Sequence, residues 1–248
     1  MSPKISAVII TKNEEDIIEK CLKSITWVDE IIIVDGYSTD TTIEICKNYT
    51  NKVFLSKERS FSKNKNLGIS KAKNEWILSL DADEIVTNEL KKEIIEKIKD
   101  DIDGYIFPRK TMYFGKWLKS AYPDYQLRLF KKSKGVFVNI PVHEFVDVRG
   151  TVDKMINPLI HYSYRDKERT RKKLERYTTL EVTRIKKAKD FRPNLLNKIK
   201  YYIIKPFSVF GYYYILRCGF IDGIAGLSYA YDGFNYNMLV AKKLFSNS

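Results

Sequence analysis

Two hydrophobic periods alternate along the first hundred residues. Residues 5–11 form a short β-branched run; 14–25 follow with Ile17, Ile18, Cys21, Leu22 and Ile25 at helical spacing. The alternation repeats with strands at 30–35 (EIIIVD), 53–56 and 76–81 (WILSLD). Between and after them come helices at 40–49, at 62–73 with Leu67, Ile69 and Ala72 inward, and at 88–99 with Asn88 as N-cap. Short, continuously apolar strands between helices predict a mostly parallel sheet covered on both faces. After residue 103 the pattern shifts to strand-like pieces at 104–108, 125–130, 136–138, 144–148 and 155–162, an antiparallel extension. From 165 helices return: a basic one at 168–189, an aromatic-rich one at 195–216 and a glycine-interrupted one at 221–245. The expected fold class is α/β, a Rossmann-like sheet domain over 1–164 followed by C-terminal helices over 165–248.

Composition adds an asymmetry. Of the formal charge of +13, most sits at the end: residues 161–248 hold 18 Lys/Arg against 7 Asp/Glu. Such a region attracts polyanions, whether anionic lipid, phosphorylated glycolipid or nucleic acid; the plain alternative is a solvated helical surface. Residues 195–216 carry Lys205 and Pro206 near the middle of their densest apolar part, which is shorter than the roughly 20 residues a span needs. Their tyrosines suit a half-wet surface, so this segment is expected at an interface or packed against protein, membrane and homodimer contacts both being open. Cys21, Cys46 and Cys218 lack metal-ligand spacing, which points to a reducing compartment and away from zinc. No signal-peptide pattern precedes the first strand, and a cytoplasmic protein, in peripheral contact with the membrane's inner face, is expected.

In an open parallel sheet ligands bind beyond the carboxyl ends of the strands. Three such ends are polar here: Thr11-Lys12-Asn13-Glu14-Glu15, Asp35-Gly36-Tyr37-Ser38-Thr39-Asp40 and Asp81-Ala82-Asp83-Glu84. One acidic strand end is often only a helix cap; three on one edge ask for more. In an extended strand Asp81 and Asp83 would point the same way, and two close carboxylates call for a hard divalent cation such as Mg²⁺. Arg128 would position a phosphate or acidic sugar, or else pair with a local acid.

The segments ISAVIITKNEE, EIIIVDGYSTDTT and KNKNLGISKAKNEWILSLDADE, in that order over about residues 4–100, resemble the family-two glycosyltransferases of GT-A fold. YPDYQLRLF, VHE, IHYSY and GFIDGIAGL resemble the subgroup that adds a sugar, often glucose, to the inner core of lipopolysaccharide. The resemblance implies a UDP-sugar donor, a glycolipid or lipopolysaccharide-core acceptor and a divalent metal. It implies that Thr11, Asn13 and Glu15 border the nucleotide and that Asp35 binds the base. Lys65 and Asn66 would help hold the nucleotide, Asp81 would lie near ribose and metal, and Asp83 would ligate Mn²⁺ or Mg²⁺. The base motif departs from its commonest form: Glu144 is the first choice for the catalytic base and Asp124 the second. His161 is a late metal ligand or a structural histidine.

Two other readings compete with this one. A haloacid-dehalogenase-type phosphatase also places D-x-D after an apolar strand, but needs it on a leading strand; here three strand units precede it. A non-catalytic polyanion binder would use the basic helices, which lack a recognisable nucleic-acid reader module.

Overall fold

In the computed structural model, which describes residues 3–138, 145–187 and 191–246, the sheet begins with four parallel strands. These are β1 (Ile5–Thr11), β2 (Glu30–Asp35), β3 (Val53–Leu55) and β4 (Trp76–Asp81), in the spatial order β3-β2-β1-β4. Between and after them run α1 (Ile18–Ser24), α2 (Thr42–Lys47), α3 (Phe61–Lys71) and α4 (Asn88–Lys97). Alternate strand residues face opposite cores. Ile9, Ile33, Leu78 and Leu80 join Leu22 and Ile94 in one; Val8, Ile32 and Ile77 join Ile69 and Phe130 in the other. With both faces covered, the strand interiors are apolar apart from the buried Ser6 and Ser79, and the strands read as nearly unbroken runs.

Gly68 lets α3 lie close on β1: a Cβ there would sit 2.4 Å from Val8 Cγ1. The helices start differently from expectation. Thr87, not Asn88, is the N-cap of α4, its Oγ1 accepting the Leu90 N–H at 3.1 Å. Residues 15–17 are turn, so α1 begins at Ile18.

The remaining strands are β5 (Glu84–Val86), β6 (Gly104–Tyr113), β7 (Lys116–Trp117), β8 (Asp124–Lys131), β9 (Gly135–Phe137), β10 (Val146–Val148), β11 (Val152–Lys154) and β12 (Leu159–Tyr164). They extend the sheet as β4-β8-β6-β12-β5, with β8 antiparallel to both β4 and β6, while β9 and β10 form a separate ribbon. β5 and β7 are too short to show a period. The strand expected at 155–162 is realised only as β12 from Leu159 on; residues 155–158 are bend and coil, and β11 lies before the expected range.

The chain divides into two compact units, Met1–Arg109 with Pro123–His161, and Lys110–Tyr122 with Tyr162–Ser248. The second unit thus takes residues 110–122 from the domain expected over 1–164. In it, α5 (Lys167–Lys187) and α8 (Ile224–Phe245) share a core of Val182, Ile185, Val240, Ala241 and Leu244. The helix expected at 195–216 is composite: α6 (Leu195–Ile199), a π-helical stretch Lys200–Ile204, α7 (Lys205–Gly211) and a second π-helical stretch Tyr212–Leu216. The first widened stretch ends just before Pro206, whose ring needs room from the carbonyl four residues back. A 3₁₀ turn, Gly219–Asp222, then leads into α8, which returns antiparallel, with Phe207 against Phe234 at 5.3 Å and Tyr213 against Tyr229 at 5.1 Å. The tip of this hairpin is clamped: Asp222 accepts from the Lys119 and Ser120 N–H groups and the Ser120 hydroxyl, and Arg217 donates to the Ser120 and Tyr122 carbonyls.

Candidate active site at the carboxyl edge of the sheet

Parallel register aligns the three polar strand ends. Thr11 pairs with Asp35, and Ile10 with Asp81, so β2, β1 and β4 present Asp35, Thr11 and Asp81 on one edge. The loops after β1 and β2 are zipped together. The Asn13 N–H donates to Ser38 Oγ and the Thr39 N–H to Asn13 Oδ1, both at 2.8 Å. Glu15 Oε2 accepts from the Thr41 N–H and hydroxyl at 3.0 and 2.7 Å. Asn13 adopts φ +55°, a left-handed conformation that asparagine tolerates and that turns the loop back. Asp35, fully buried, accepts from the Ser38 N–H and hydroxyl, closing its own turn. The Thr11 hydroxyl is buried and has no partner among the described residues.

Asp81 and Asp83 part company. The strand ends at Asp81 and the chain turns through Ala82 and Asp83 before β5, so the i, i+2 geometry of an extended strand does not hold. Asp81 Oδ1 meets the buried Lys65 ammonium at 2.9 Å and Oδ2 meets Arg128 Nη2 at 2.6 Å. Burial opposes its ionisation, but the Arg128 and Lys65 cations outweigh that and hold its carboxyl well below the usual range. Asp83 faces β12: its Oδ1 lies 3.5 Å from His161 Nε2. The pairing of β12 with β5 places His161 opposite Glu84 and delivers the histidine from 77 residues away. The expected metal set Asp81, Asp83 and His161 is therefore not assembled as one cluster. Among the described residues no three His, Cys, Asp or Glu converge in a metal-holding group.

Glu84, which sequence reasoning left without a role, is the hub beneath. Fully buried, it accepts from Arg128 at 2.6 Å, from Arg109 Nη1 at 3.0 Å and from the Asp81 N–H at 3.0 Å. Arg128 thus pairs with local acids, one of the two alternatives its position allowed. Arg109, also missed, donates from Nε and Nη2 to Asp124 Oδ2 at 2.8 and 2.5 Å, and Gln126 donates to Asp124 Oδ1 at 2.9 Å. Burial would raise the Asp124 carboxyl, but Arg109 and Gln126 hold it below its ordinary value. Their signal in the sequence was alternation on β6 and β8, which puts a charged residue on an inward face; no inward charge persists without a partner.

Lys65 also lies over the Phe137 ring at 5.0 Å. Asn66 clamps the β9 backbone, donating to the Phe137 carbonyl and accepting its N–H at 2.9 and 3.0 Å. Its amide therefore holds the fold, whereas the expectation placed it at the nucleotide. Glu144, the first choice for the base, lies outside the described residues. The three cysteines are free, Cys21 and Cys46 buried and Cys218 exposed.

Residues 6–157 match the family model described as Glycosyl transferase family 2. The chain is 29% identical over 241 residues to an uncharacterized glycosyltransferase of Rickettsia typhi, covering 89% of this chain and 82% of the relative. It is 26% identical to the lipopolysaccharide core biosynthesis glycosyltransferase LpsC of Rhizobium meliloti, over 93% of this chain and 91% of LpsC. Among solved structures, the mannosyltransferase PcManGT of Pyrobaculum calidifontis, in complex with GDP-Man and Mn²⁺, has a TM-score of 0.56 at 14% identity, covering 100% of this chain and 89% of that one. Residues 1–349 of S. aureus TarS, in complex with UDP-GlcNAc, have a TM-score of 0.52 at 17% identity, over 97% and 91%. At these identities the structures share the fold, a mixed sheet of GT-A type with helices after it. With the family match spanning more than half of its length, the chain belongs to glycosyl transferase family 2 and is a glycosyltransferase.

Proposed function

We propose that the protein moves a sugar, glucose by subgroup resemblance, from a UDP-sugar to a hydroxyl of a glycolipid acceptor of the lipopolysaccharide-core type. The observation that carries this is the strand register that gathers Asp35, Thr11, Asp81 and, through β12, the Asp83–His161 pair on one edge. The similarity to LpsC supports the acceptor class.

Asp83 and His161 would hold Mn²⁺ or Mg²⁺. The fit rests on two donors of suitable chemistry, Asp83 Oδ1 and His161 Nε2, already side by side at 3.5 Å. Two protein ligands are enough, because such ions are commonly completed by substrate phosphates and water. When bound, the ion supplies Lewis-acid stabilisation of the departing diphosphate.

The chain's own residues do the rest. Asp35 and the Thr11 hydroxyl would meet the nucleoside, with Asn13 and Glu15 setting the loop that borders it. Asp81, already held by Lys65 and Arg128, would present its carboxylate to the ribose. Glu144 would take the acceptor's proton while attack from the opposite face inverts the anomeric centre. Asp124 is the weaker choice, since Arg109 and Gln126 hold its oxygens and depress its basicity.

A hydrolysis screen of UDP-, GDP-, ADP- and dTDP-sugars, with and without Mn²⁺, tests the reading without knowledge of the acceptor. UDP-glucose should turn over fastest and need the ion, and Asp83→Ala should lose about 10²–10³-fold or more in rate with its melting temperature kept. Metal-independent turnover, or a fully active Asp83→Ala, would refute it.

A further inference from the structure

The composite helix of the second unit carries an apolar face that the fold does not cover. Leu196 is 76% exposed, Ile203 55%, Phe207 62% and Leu216 75%. The steps from Leu196 through Ile199 and Ile203 to Phe207 are three, four and four residues, one helix face. The two π-helical stretches turn the chain less per residue than an α-helix does. They bring Ile215 and Leu216 back to that face, so that the stripe stays within roughly a third of the circumference over the whole length. Past the clamped tip, Ile221 and Ile224 are 63% and 81% exposed.

The charge around this face has one sign. Residues 110–122 and 191–246 together hold ten Lys/Arg and two Asp/Glu. Both acids are turned inward: Asp222 onto Ser120, and Asp232 onto the Tyr113 hydroxyl at 2.7 Å. Of the cations, Lys116, Lys119, Arg192, Lys198 and Lys200 are exposed. Tyr212 is exposed and Tyr202, Tyr213 and Tyr214 are half-buried along the same helix, the residue type that settles at the headgroup level.

We propose that the hairpin formed by residues 195–231 docks flat into the interface of an anionic lipid bilayer, with this apolar face among the upper acyl chains and the exposed lysines and arginines at the phosphates. A span is not what is proposed, since no helix among the described residues is long and apolar enough to cross a membrane. A second copy is the poorer occupant. A two-fold interface would set this basic patch against itself, whereas anionic headgroups complement it. The inference stands on the surface of the second unit alone and holds whichever sugar the first unit transfers.

The test is flotation of the full chain with phosphatidylcholine vesicles, with and without about 30% phosphatidylglycerol. The protein should float with the anionic vesicles, and raising salt from about 0.05 to 0.5 M should weaken the association severalfold. Ile203→Glu/Phe207→Glu/Ile224→Glu should weaken it by about tenfold or more, with UDP-sugar hydrolysis unchanged. Should that variant fail to fold, the native chain gives a second reading. Cys218 is the exposed cysteine beside Leu216, and an environment-sensitive dye on it should shift blue on anionic vesicles and be quenched by brominated acyl chains. Wild-type protein left in the lipid-free fraction, or a variant that floats as well as wild type, overturns the proposal. So does light scattering that finds a lipid-free wild-type dimer and a monomeric variant, which would make a second copy the occupant.

Discussion

At the scale of single residues, what separates a catalytic carboxylate from a structural one is what already occupies its oxygens. Asp81, Glu84 and Asp124 all lie at the sheet edge, and all three are held by Arg128, Arg109 or Lys65. A carboxylate so engaged is a stable anion and a weak base. Glu144→Gln should therefore cut donor hydrolysis, in which water replaces the acceptor, by about 10²–10⁴-fold. Asp124→Asn should cost far less in rate and lower the melting temperature, because it leaves the largely buried Arg109 with one carboxylate fewer. Rates and melts on the two variants check this; the opposite ranking moves the base to Asp124. Glu84 shows the same logic from the other side. Both of its oxygens are already engaged, and it fixes where Arg128 meets Asp81.

At the scale of elements, the site depends on close approach. Lys65 reaches Asp81 because α3 lies low on the sheet, and α3 lies low because position 68 has no side chain. Gly68→Ala puts a methyl group 2.4 Å from Val8 Cγ1, so helix or strand must shift. Overpacking of this kind typically costs about 1–3 kcal/mol. The expected outcome is a lower melting temperature together with a raised KM for the sugar nucleotide, read by thermal denaturation and steady-state hydrolysis. Destabilisation with an unchanged KM would mean that the seat of α3 does not set the donor site. The pairing of β12 with β5 is the other decisive approach, since it alone carries His161 to Asp83.

At the scale of the whole molecule, buried carboxylates set the response to acid. Glu30, nearly buried, accepts from the Ser6 hydroxyl, Lys52 and the Lys73 N–H. Burial pushes its carboxyl up, but these partners outweigh that and leave it below its ordinary value. Asp81 and Asp124 are lowered in the same sense, while burial raises Asp232 and opposes them. A depressed carboxylate contributes stability that is present above its unfolded pKa, about 4, and lost as pH falls through the folded value. The melting temperature should therefore drop steeply below about pH 4, and Glu30→Gln should flatten part of that slope. Melts of both proteins from neutral pH to about pH 3 check this. An unchanged slope in the variant would remove Glu30 from the account.

The sequence by itself determined the layered α/β order of the first hundred residues, because strands buried on both faces must be largely apolar and the helices between them must show a period near 3.6. It also located the chemistry: the ends of β1, β2 and β4 were legible as Thr11, Asp35 and Asp81-Ala82-Asp83, since parallel strands put their carboxyl ends on one edge. Only the tertiary structure decided which of those side chains answer to one another. That Asp83 meets His161 while Asp81 meets Lys65 and Arg128 follows from a three-residue strand and a turn at Ala82. Neither leaves a periodic trace. That Asn66 holds β9, that Glu84 anchors two arginines and that the apolar stripe of 195–231 faces outward are likewise long-range facts. A pattern along the chain records how often a side chain is hidden; it does not record what hides it.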